Sequence, residues 1–151
     1  MRIGLTAEEG ARVVAVARTW TSTPFHPDAA VKNAGVDCGR LLLEVYVEAG
    51  LIDRASVPEI PRMPRGWHLN SGDERYRALV EGFAVKVDPP WEVGDVLLFR
   101  GRRWRSVGHG ALYVGENRVI HAIEGATVRE WPLTPLLLGS IEAGYRLRRD
   151  V

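Results

Sequence analysis

The sequence predicts an α+β fold in which helices pack on an antiparallel sheet. Helical patterns occupy the first part of the 151-residue chain and strand patterns the rest, an order typical of a segregated sheet rather than of alternating βαβ units. One segment, 37–50, is far more apolar than its surroundings and predicts a central helix. The length is that of one domain, so we expect residues 1–151 to form a single unit.

The first predicted helix runs from Ala7 to about Trp20. Thr6 and Glu9 have the spacing of a capping box, in which each side chain bonds to the backbone N–H of the other residue. Apolar residues then recur at helical intervals, at Val13, Val16, Ala17 and Trp20. Prolines and polar residues predict a loop over residues 21–35.

The second predicted helix, 37–50, carries Cys38 in or beside its first turn. Its polar side chains form one narrow stripe with a spacing of four residues, at Arg40, Glu44 and Glu48. The other positions are almost all apolar, which is typical of a helix that is buried on most of its surface. A long loop with recurring proline and glycine follows from Asp53 to Gly72, and loops of that length are usually functional or lid-like.

A short helix is predicted over residues 73–81, and the remainder of the chain is predicted to form strands. They cover residues 95–100, 110–114, 118–123, 127–131 and 144–149. Gly115-Glu116-Asn117 joins the second and third of these strands as a hairpin-type turn. Asp95 is interpreted as a strand-start turn residue rather than as a carboxylate that orients a histidine.

Composition excludes several classes of protein. Lys and Arg number 20 against 19 Asp and Glu, a balance that does not fit a protein binding nucleic acid through phosphate contacts. No apolar run approaches the roughly 20 residues of a membrane span. The single cysteine excludes an intrachain disulfide. The first residues lack the apolar stretch of a secretory signal, so we expect no export by a signal of its own and delivery by another agent.

Cys38 and two of the four histidines are the candidate catalytic residues. A thiolate is the reactive form of cysteine, and the positive potential of a helix N-terminus favours it. His109 and His121 lie at or within paired strands of the predicted hairpin, where one imidazole can act as base and the other can orient it. A shift of one residue in register would separate them.

Structural interpretations of the same residues remain open at this point. Free cysteine is often a buried apolar residue, and both histidines would then be ordinary hydrogen-bonded side chains. Cys38, His109 and His121 could also be three zinc ligands, although the short ligand pairs common in zinc sites are absent. Arginines around Trp104 are interpreted as a solvated hairpin end rather than as a nucleic-acid patch.

Four short segments follow one another in a characteristic order. They are Val36-Asp37-Cys38-Gly39, then Glu92-Val93-Gly94-Asp95-Val96-Leu97-Leu98-Phe99, then Gly108-His109-Gly110-Ala111-Leu112-Tyr113-Val114, and Val119-Ile120-His121-Ala122. This order resembles that of the NlpC/P60 cysteine peptidases, from about residue 23 to residue 123. The resemblance implies a papain-like fold and cleavage of the peptide stems of bacterial cell wall, typically beside γ-D-glutamyl linkages.

By position, the resemblance implies a role for each candidate. Cys38 is the nucleophile, His109 is the base that pairs with it, and His121 is the third residue that orients His109. The backbone N–H of Cys38 helps to bind the oxyanion, and no cofactor or metal is implied.

Two departures from the family pattern bear on substrate binding. Gly39-Arg40 stands where the family usually has Ser-Gly, and Arg40 either attracts an anionic stem peptide or faces solvent. Phe25 stands where the family tends to have a tyrosine whose hydroxyl assists near the oxyanion. His26, the next residue, is a candidate replacement for that hydroxyl.

Thr23-Pro24-Phe25-His26 and residues 31–38 are similar to the start of an NlpC/P60 branch found in tailed phages, prophages and gene transfer agents. We therefore expect a peptidase carried in a virion or phage-like tail, with peptidoglycan stems as substrate and other tail or baseplate proteins as partners. One alternative is a non-catalytic structural tail-tip module that retains the fold. Another is a related acyltransferase or amidase for a lipid or small amide, which would need a more apolar cleft.

Overall fold

The computed structural model describes residues 2–62 and 66–149 and confirms the α+β architecture. Pro64, one of the prolines of the predicted loop, lies outside the described residues. The helices are α1 Ala7–Arg18, α2 Cys38–Glu48, α3 Trp67–Asn70, α4 Arg75–Glu81 and α5 Pro135–Ser140. The strands are β1 Arg2–Ile3, β2 Ala30–Val31, β3 Gly35–Val36, β4 Ala84–Val87, β5 Val96–Phe99, β6 His109–Gly115, β7 Arg118–Ala122, β8 Val128–Pro132 and β9 Ile141–Arg149.

Seven of the strands in the described residues form one large sheet. Its strands follow the order β1-β9-β5-β6-β7-β8, and β4 also pairs with β9. Every one of these pairings is antiparallel. All four residues of β5 are buried, which explains the continuous apolar run of that segment, since a strand covered on both faces needs no polar alternation. Among the described helices, none has the length and apolar character to cross a membrane.

The capping box at the start of α1 is present as predicted. The Glu9 N–H donates to Thr6 Oγ1 over 3.1 Å, and the Thr6 N–H donates to Glu9 Oε1 over 2.9 Å. α1 ends at Arg18, two residues before the predicted end at Trp20. The Thr19 hydroxyl donates to the carbonyl of Val16 over 2.6 Å, and this bond closes the last turn.

α2 begins at Cys38 because Asp37 caps it. The Asp37 carboxylate accepts the N–H of Arg40 over 2.8 Å, which satisfies one of the free amides of the first turn. The helix ends at Glu48, and Gly50 adopts a φ of 78° that terminates it. The apolar face packs on the sheet through buried residues that include Leu41, Leu42, Leu43, Val45 and Tyr46. Cys38 is thereby held at a fixed point above the sheet.

Several predictions of local structure need correction. The predicted loop 21–35 contains β2 and the first residue of β3, and these two strands pair with each other. The loop 53–72 is not wholly irregular, because it contains a 3₁₀ helix at Arg54–Ser56 and then α3. β4 was not predicted, and this strand of four residues exists because it pairs with β9. α5 was not predicted either, although Thr134 caps it and proline stands at its first position, both of which are helix-start signals.

Asp95 has the structural role that the sequence suggested. It is 1% exposed, accepts the N–H of Glu92 over 2.7 Å, and binds the guanidinium of Arg146 through two contacts of 2.9 Å. These bonds fix the turn before β5 to β9. Because its oxygens are used in this way, Asp95 is not the residue that orients a catalytic histidine.

Candidate active site

Cys38 lies at the N-terminus of α2 and lines a cleft. Its side chain is 9% exposed. The residues that line the cleft with Cys38 include Phe25, Arg40, Trp67, Tyr76 and Glu124. The groups that act on the sulfur are the Tyr76 hydroxyl, the carboxylate of Asp37, and the backbone N–H groups of Gly110 and Cys38 itself.

The resting thiol is neutral. Burial raises the pKa of Cys38 to about 11, and the negative charge of Asp37 acts in the same direction. The Tyr76 hydroxyl and the two backbone N–H groups oppose this rise in the pKa, because each can donate to a negatively charged sulfur and so favours the thiolate. In the free protein, burial therefore outweighs the groups that favour the thiolate.

The register of the hairpin brings His109 and His121 together. Leu112 pairs with Ile120 across β6 and β7, so His121 stands opposite Ala111. His109 is two residues from Ala111 and shares its face of the sheet. Accordingly, His109 Nε2 and His121 Nδ1 are 2.8 Å apart, and the ring centroids are separated by 5.0 Å.

The hydrogen bond between the rings restricts their tautomers. When His109 carries its proton on Nε2, it donates to Nδ1 of His121 and keeps Nδ1 free to accept a proton. This is the tautomer that a general base requires. His121 then carries its own proton on Nε2, which is buried and has no hydrogen-bond partner among the described residues. His121 is therefore suited to orient His109.

Both imidazoles are held neutral. Burial lowers the pKa of His109 to about 3, and the neighbouring rings of His121 and His68 add to the effect. Burial lowers the pKa of His121 to about 4, with a contribution from the charge of Arg129. At neutral pH the site thus contains an uncharged thiol and two uncharged imidazoles.

We predict that these two histidines make the protein sensitive to acid. Below pH about 6.5 an unfolded chain binds protons on its imidazoles, whereas the folded chain does not until the pH reaches about 4 at His121 and about 3 at His109. Their contribution to stability is therefore complete above pH 6.5 and is lost as the pH falls, by up to about 1.4 kcal/mol per pH unit for each histidine.

Urea unfolding between about pH 7 and about pH 5 measures this dependence. The His121→Gln variant has one imidazole fewer, and we expect it to lose roughly half of the histidine-dependent slope. The carboxylates make the same contribution to the pH slope of both proteins. The difference between the two slopes therefore measures the contribution of His121. Identical slopes in the two proteins would show that His121 is not held neutral.

The three residues predicted to bind substrate have different locations. Arg40 lines the cleft, but its guanidinium already bonds Asp37 over 2.6 Å and Asp28 over 3.3 Å. Phe25 also lines the cleft. His26 is exposed, and its Nδ1 lies 2.9 Å from the carbonyl of Pro27. The structure therefore brings Arg40 and Phe25 to the cleft and leaves the His26 ring outside it, and their roles in binding stay predictions.

Two residues of the site were missed by sequence reasoning. His68 lines the cleft in α3 and stacks edge-on against Trp104 with ring centroids 4.5 Å apart. The length of the loop was the signal for it, since long loops often cover functional sites. Tyr76 in α4 lies beside Cys38, and no motif indicated it.

The zinc alternative receives no support from the described parts of the chain. Within residues 2–62 and 66–149, no group of three or more His, Cys, Asp or Glu side chains is arranged to hold a metal ion. Cys38 and the paired His109 and His121 instead supply the residue types of a cysteine nucleophile with a base and an orienting group.

Comparison with known proteins identifies the class of fold. No family model matches the sequence, and no curated protein matches it either. A solved structure from Staphylococcus aureus, described as similar to a lipoprotein of the NLP/P60 family, matches 97% of this chain with a TM-score of 0.67 and 19% identity. This chain covers 44% of that longer protein.

Two isolated domains match over nearly their whole length. The NlpC/p60 domain of the peptidoglycan hydrolase SagA matches 92% of this chain and 97% of its own, with a TM-score of 0.56 and 21% identity. RipD from Mycobacterium tuberculosis, described as a non-catalytic NlpC/p60 domain protein adapted to peptidoglycan binding, matches 95% and 98%, with a TM-score of 0.53 and 20% identity. The chain has the NlpC/P60 fold, as its sequence predicted.

Proposed function

We propose that this protein is a cysteine peptidase that hydrolyses the peptide stems of peptidoglycan. The observation that carries the proposal is Cys38 at the capped start of a buried helix and in a cleft, together with the hydrogen-bonded pair of His109 and His121 on β6 and β7. Gly110, which follows His109 on β6, acts on the Cys38 sulfur through its backbone N–H. A protein that needs only the fold has no use for two buried imidazoles hydrogen-bonded to each other.

In the acylation step, the sulfur of Cys38 attacks the carbonyl carbon of the scissile amide. The thiol proton moves to Nδ1 of His109, and the carbonyl electron pair moves to oxygen. The N–H of Cys38 and the dipole of α2 stabilise that oxyanion. When the C–N bond breaks, protonated His109 gives its proton to the leaving amine, and an acyl thioester remains on Cys38.

In the second step, water hydrolyses the thioester. His109 takes a proton from the water as its oxygen attacks the acyl carbon, and returns it to the sulfur as the C–S bond breaks. His121 accepts the Nε2–H of His109 throughout and holds the ring in place. The products are a free amine and a carboxylate, and Cys38 is regenerated as a thiol.

The choice of peptidoglycan stems has two supports. The SagA domain, which has the same fold, belongs to a protein described as a peptidoglycan hydrolase. The cleft also combines the charged residues Asp28, Arg40 and Glu124 with the apolar surfaces of Phe25 and Trp67. Such a mixed lining suits a short peptide with both charged groups and methyl side chains.

A second candidate function is binding of peptidoglycan without turnover, which differs from the structural tail-tip module considered above in having the wall as its partner. The observation that favours it is the buried Cys38 thiol with its raised pKa. RipD provides a precedent for a non-catalytic domain with this fold. The two candidates differ in one measurable respect, which is the release of new amino groups from the wall.

Incubation with purified peptidoglycan distinguishes the two functions. The peptidase releases soluble peptides and new amino termini, and mass spectrometry of these products identifies the bond cleaved. The binding module co-sediments with the insoluble wall and releases nothing. Wall binding without release at any pH would contradict the peptidase.

We further propose that the peptidase is carried by a phage-like tail and contacts other tail or baseplate proteins. The support for this is the resemblance of Thr23-Pro24-Phe25-His26 and residues 31–38 to the phage and gene transfer agent branch. Immunodetection in purified particles tests it. Detection only in the particle-free fraction would contradict it.

A further inference from the structure

Tyr76 is a buried polar residue at the site that the mechanism above does not use. Tyr76 is 3% exposed. Within residues 2–62 and 66–149, its buried hydroxyl has no hydrogen-bond partner. A buried hydroxyl without a partner is costly to a protein. Among charged groups, Cys38 acts most strongly on the pKa of Tyr76, and a neutral thiol is only a weak acceptor.

Two glycines make room for this side chain. Gly39 follows the nucleophile in sequence and Gly110 follows the base. A Cβ on Gly39 would lie 3.4 Å from Cε2 of Tyr76 and 3.8 Å from its hydroxyl oxygen, and a Cβ on Gly110 would collide with that oxygen. The phenol of Tyr76 therefore occupies the space between the segment that bears Cys38 and the segment that bears His109.

We propose that the Tyr76 hydroxyl donates a hydrogen bond to the sulfur of Cys38 when the thiol loses its proton, and that Tyr76 is in this way a further catalytic residue. The thiol proton goes to His109, and Tyr76 keeps its own proton. The hydroxyl gains a full acceptor only when negative charge develops on sulfur, so the bond stabilises the reacting state more than the resting state. The catalytic part of this proposal rests on the proposed peptidase function.

The electrostatics of the pair agree with this role. Burial and the charge of Cys38 raise the pKa of Tyr76 well above its ordinary value, so the phenol stays protonated and remains a donor at any working pH. The same hydroxyl is the largest of the influences that favour the Cys38 thiolate. Tyr76 thus supplies, from α4, a hydroxyl that Phe25 does not have.

The test is the Tyr76→Phe variant, which removes the hydroxyl and keeps the ring. The rate of iodoacetamide alkylation of the single thiol is measured against pH. We expect the pH midpoint to rise by about one unit or more, and the rate at neutral pH to fall about tenfold or more. The midpoint of urea unfolding should be unchanged or higher, because the variant loses an unsatisfied buried hydroxyl.

Tyr46→Phe is the matched control. Tyr46 lies on the same helix as Cys38 and is buried, but its hydroxyl donates to the carbonyl of Gly94. The Tyr46→Phe variant should have the same pH dependence of alkylation as the wild type. A Tyr76→Phe profile that coincides with the wild-type profile overturns the proposal.

Turnover provides a second readout. In an active wild type, Tyr76→Phe should lower kcat about tenfold or more with little change in KM, and an unchanged kcat overturns the catalytic role. Alkylation needs no substrate. If the wild type releases no peptide, the proposed function fails, and the alkylation profiles alone decide whether Tyr76 donates to the sulfur.

Discussion

Replacing Cys38 by alanine is expected to abolish peptide release from peptidoglycan, with a loss of roughly 10⁴-fold or more. The reason is that the acyl thioester forms on this sulfur, and the chain has no other cysteine to take its place. Release of new amino groups from purified wall measures the effect.

The fold should tolerate this change. Cys38 is buried, so removal of one sulfur atom costs about 1 kcal/mol of unfolding free energy, and urea unfolding checks this. Cys38→Ser is the conservative companion, because it retains a hydroxyl of similar size that is far less nucleophilic in this buried position. Substantial release by folded Cys38→Ala would refute the mechanism.

Replacing His109 by glutamine is expected to lower kcat by roughly 10³-fold or more, because the thiol then has no base to take its proton and the leaving amine has no acid. The glutamine amide can still bond with Nδ1 of His121, so the local hydrogen bonding is preserved in part. His121→Gln should lose less, since its amide oxygen can still accept the Nε2–H of His109 and hold the ring.

The relative size of the two decreases in kcat tests the roles of His109 and His121. A larger loss in His121→Gln than in His109→Gln would reverse the roles assigned to the two imidazoles. Full activity in His109→Gln would exclude it as the base. Steady-state kinetics on a soluble stem peptide, with the unfolding free energy of each variant measured alongside, make the comparison.

The sequence predicted the elements whose signals are local. The apolar pattern of α2 and its cap at Asp37 determine that helix whatever it packs against, and the turn Gly115-Glu116-Asn117 sets the register of the hairpin that joins His109 to His121. Elements that depend on distant partners were missed. β4 has only four residues and becomes a strand by pairing with β9, which lies far away in sequence.

The site follows the same rule: contacts set by local sequence were predictable, and contacts that depend on tertiary packing were not. His109 and His121 are joined by one hairpin, so their proximity follows from the register. Tyr76 reaches Cys38 only through the packing of α4 and through the space at Gly39 and Gly110, and no spacing in the sequence encodes that contact.

The location of the His26 ring has a local cause. Adjacent residues of an extended chain point in opposite directions, and the bridge between Phe25 and Val36 marks such a segment. Phe25 lines the cleft, and the side chain of His26 is directed away from it. His26 is therefore a poor replacement for a hydroxyl at position 25.

The most direct test of the central claim is peptide release by the wild-type protein before and after its one thiol is alkylated. Iodoacetamide can modify no other cysteine in this chain, and intact mass confirms a single adduct on Cys38. The account predicts that untreated protein releases new amino termini from purified peptidoglycan and that the alkylated protein releases none. Equal release by both preparations, or release by neither with wall binding retained, would contradict a catalytic Cys38.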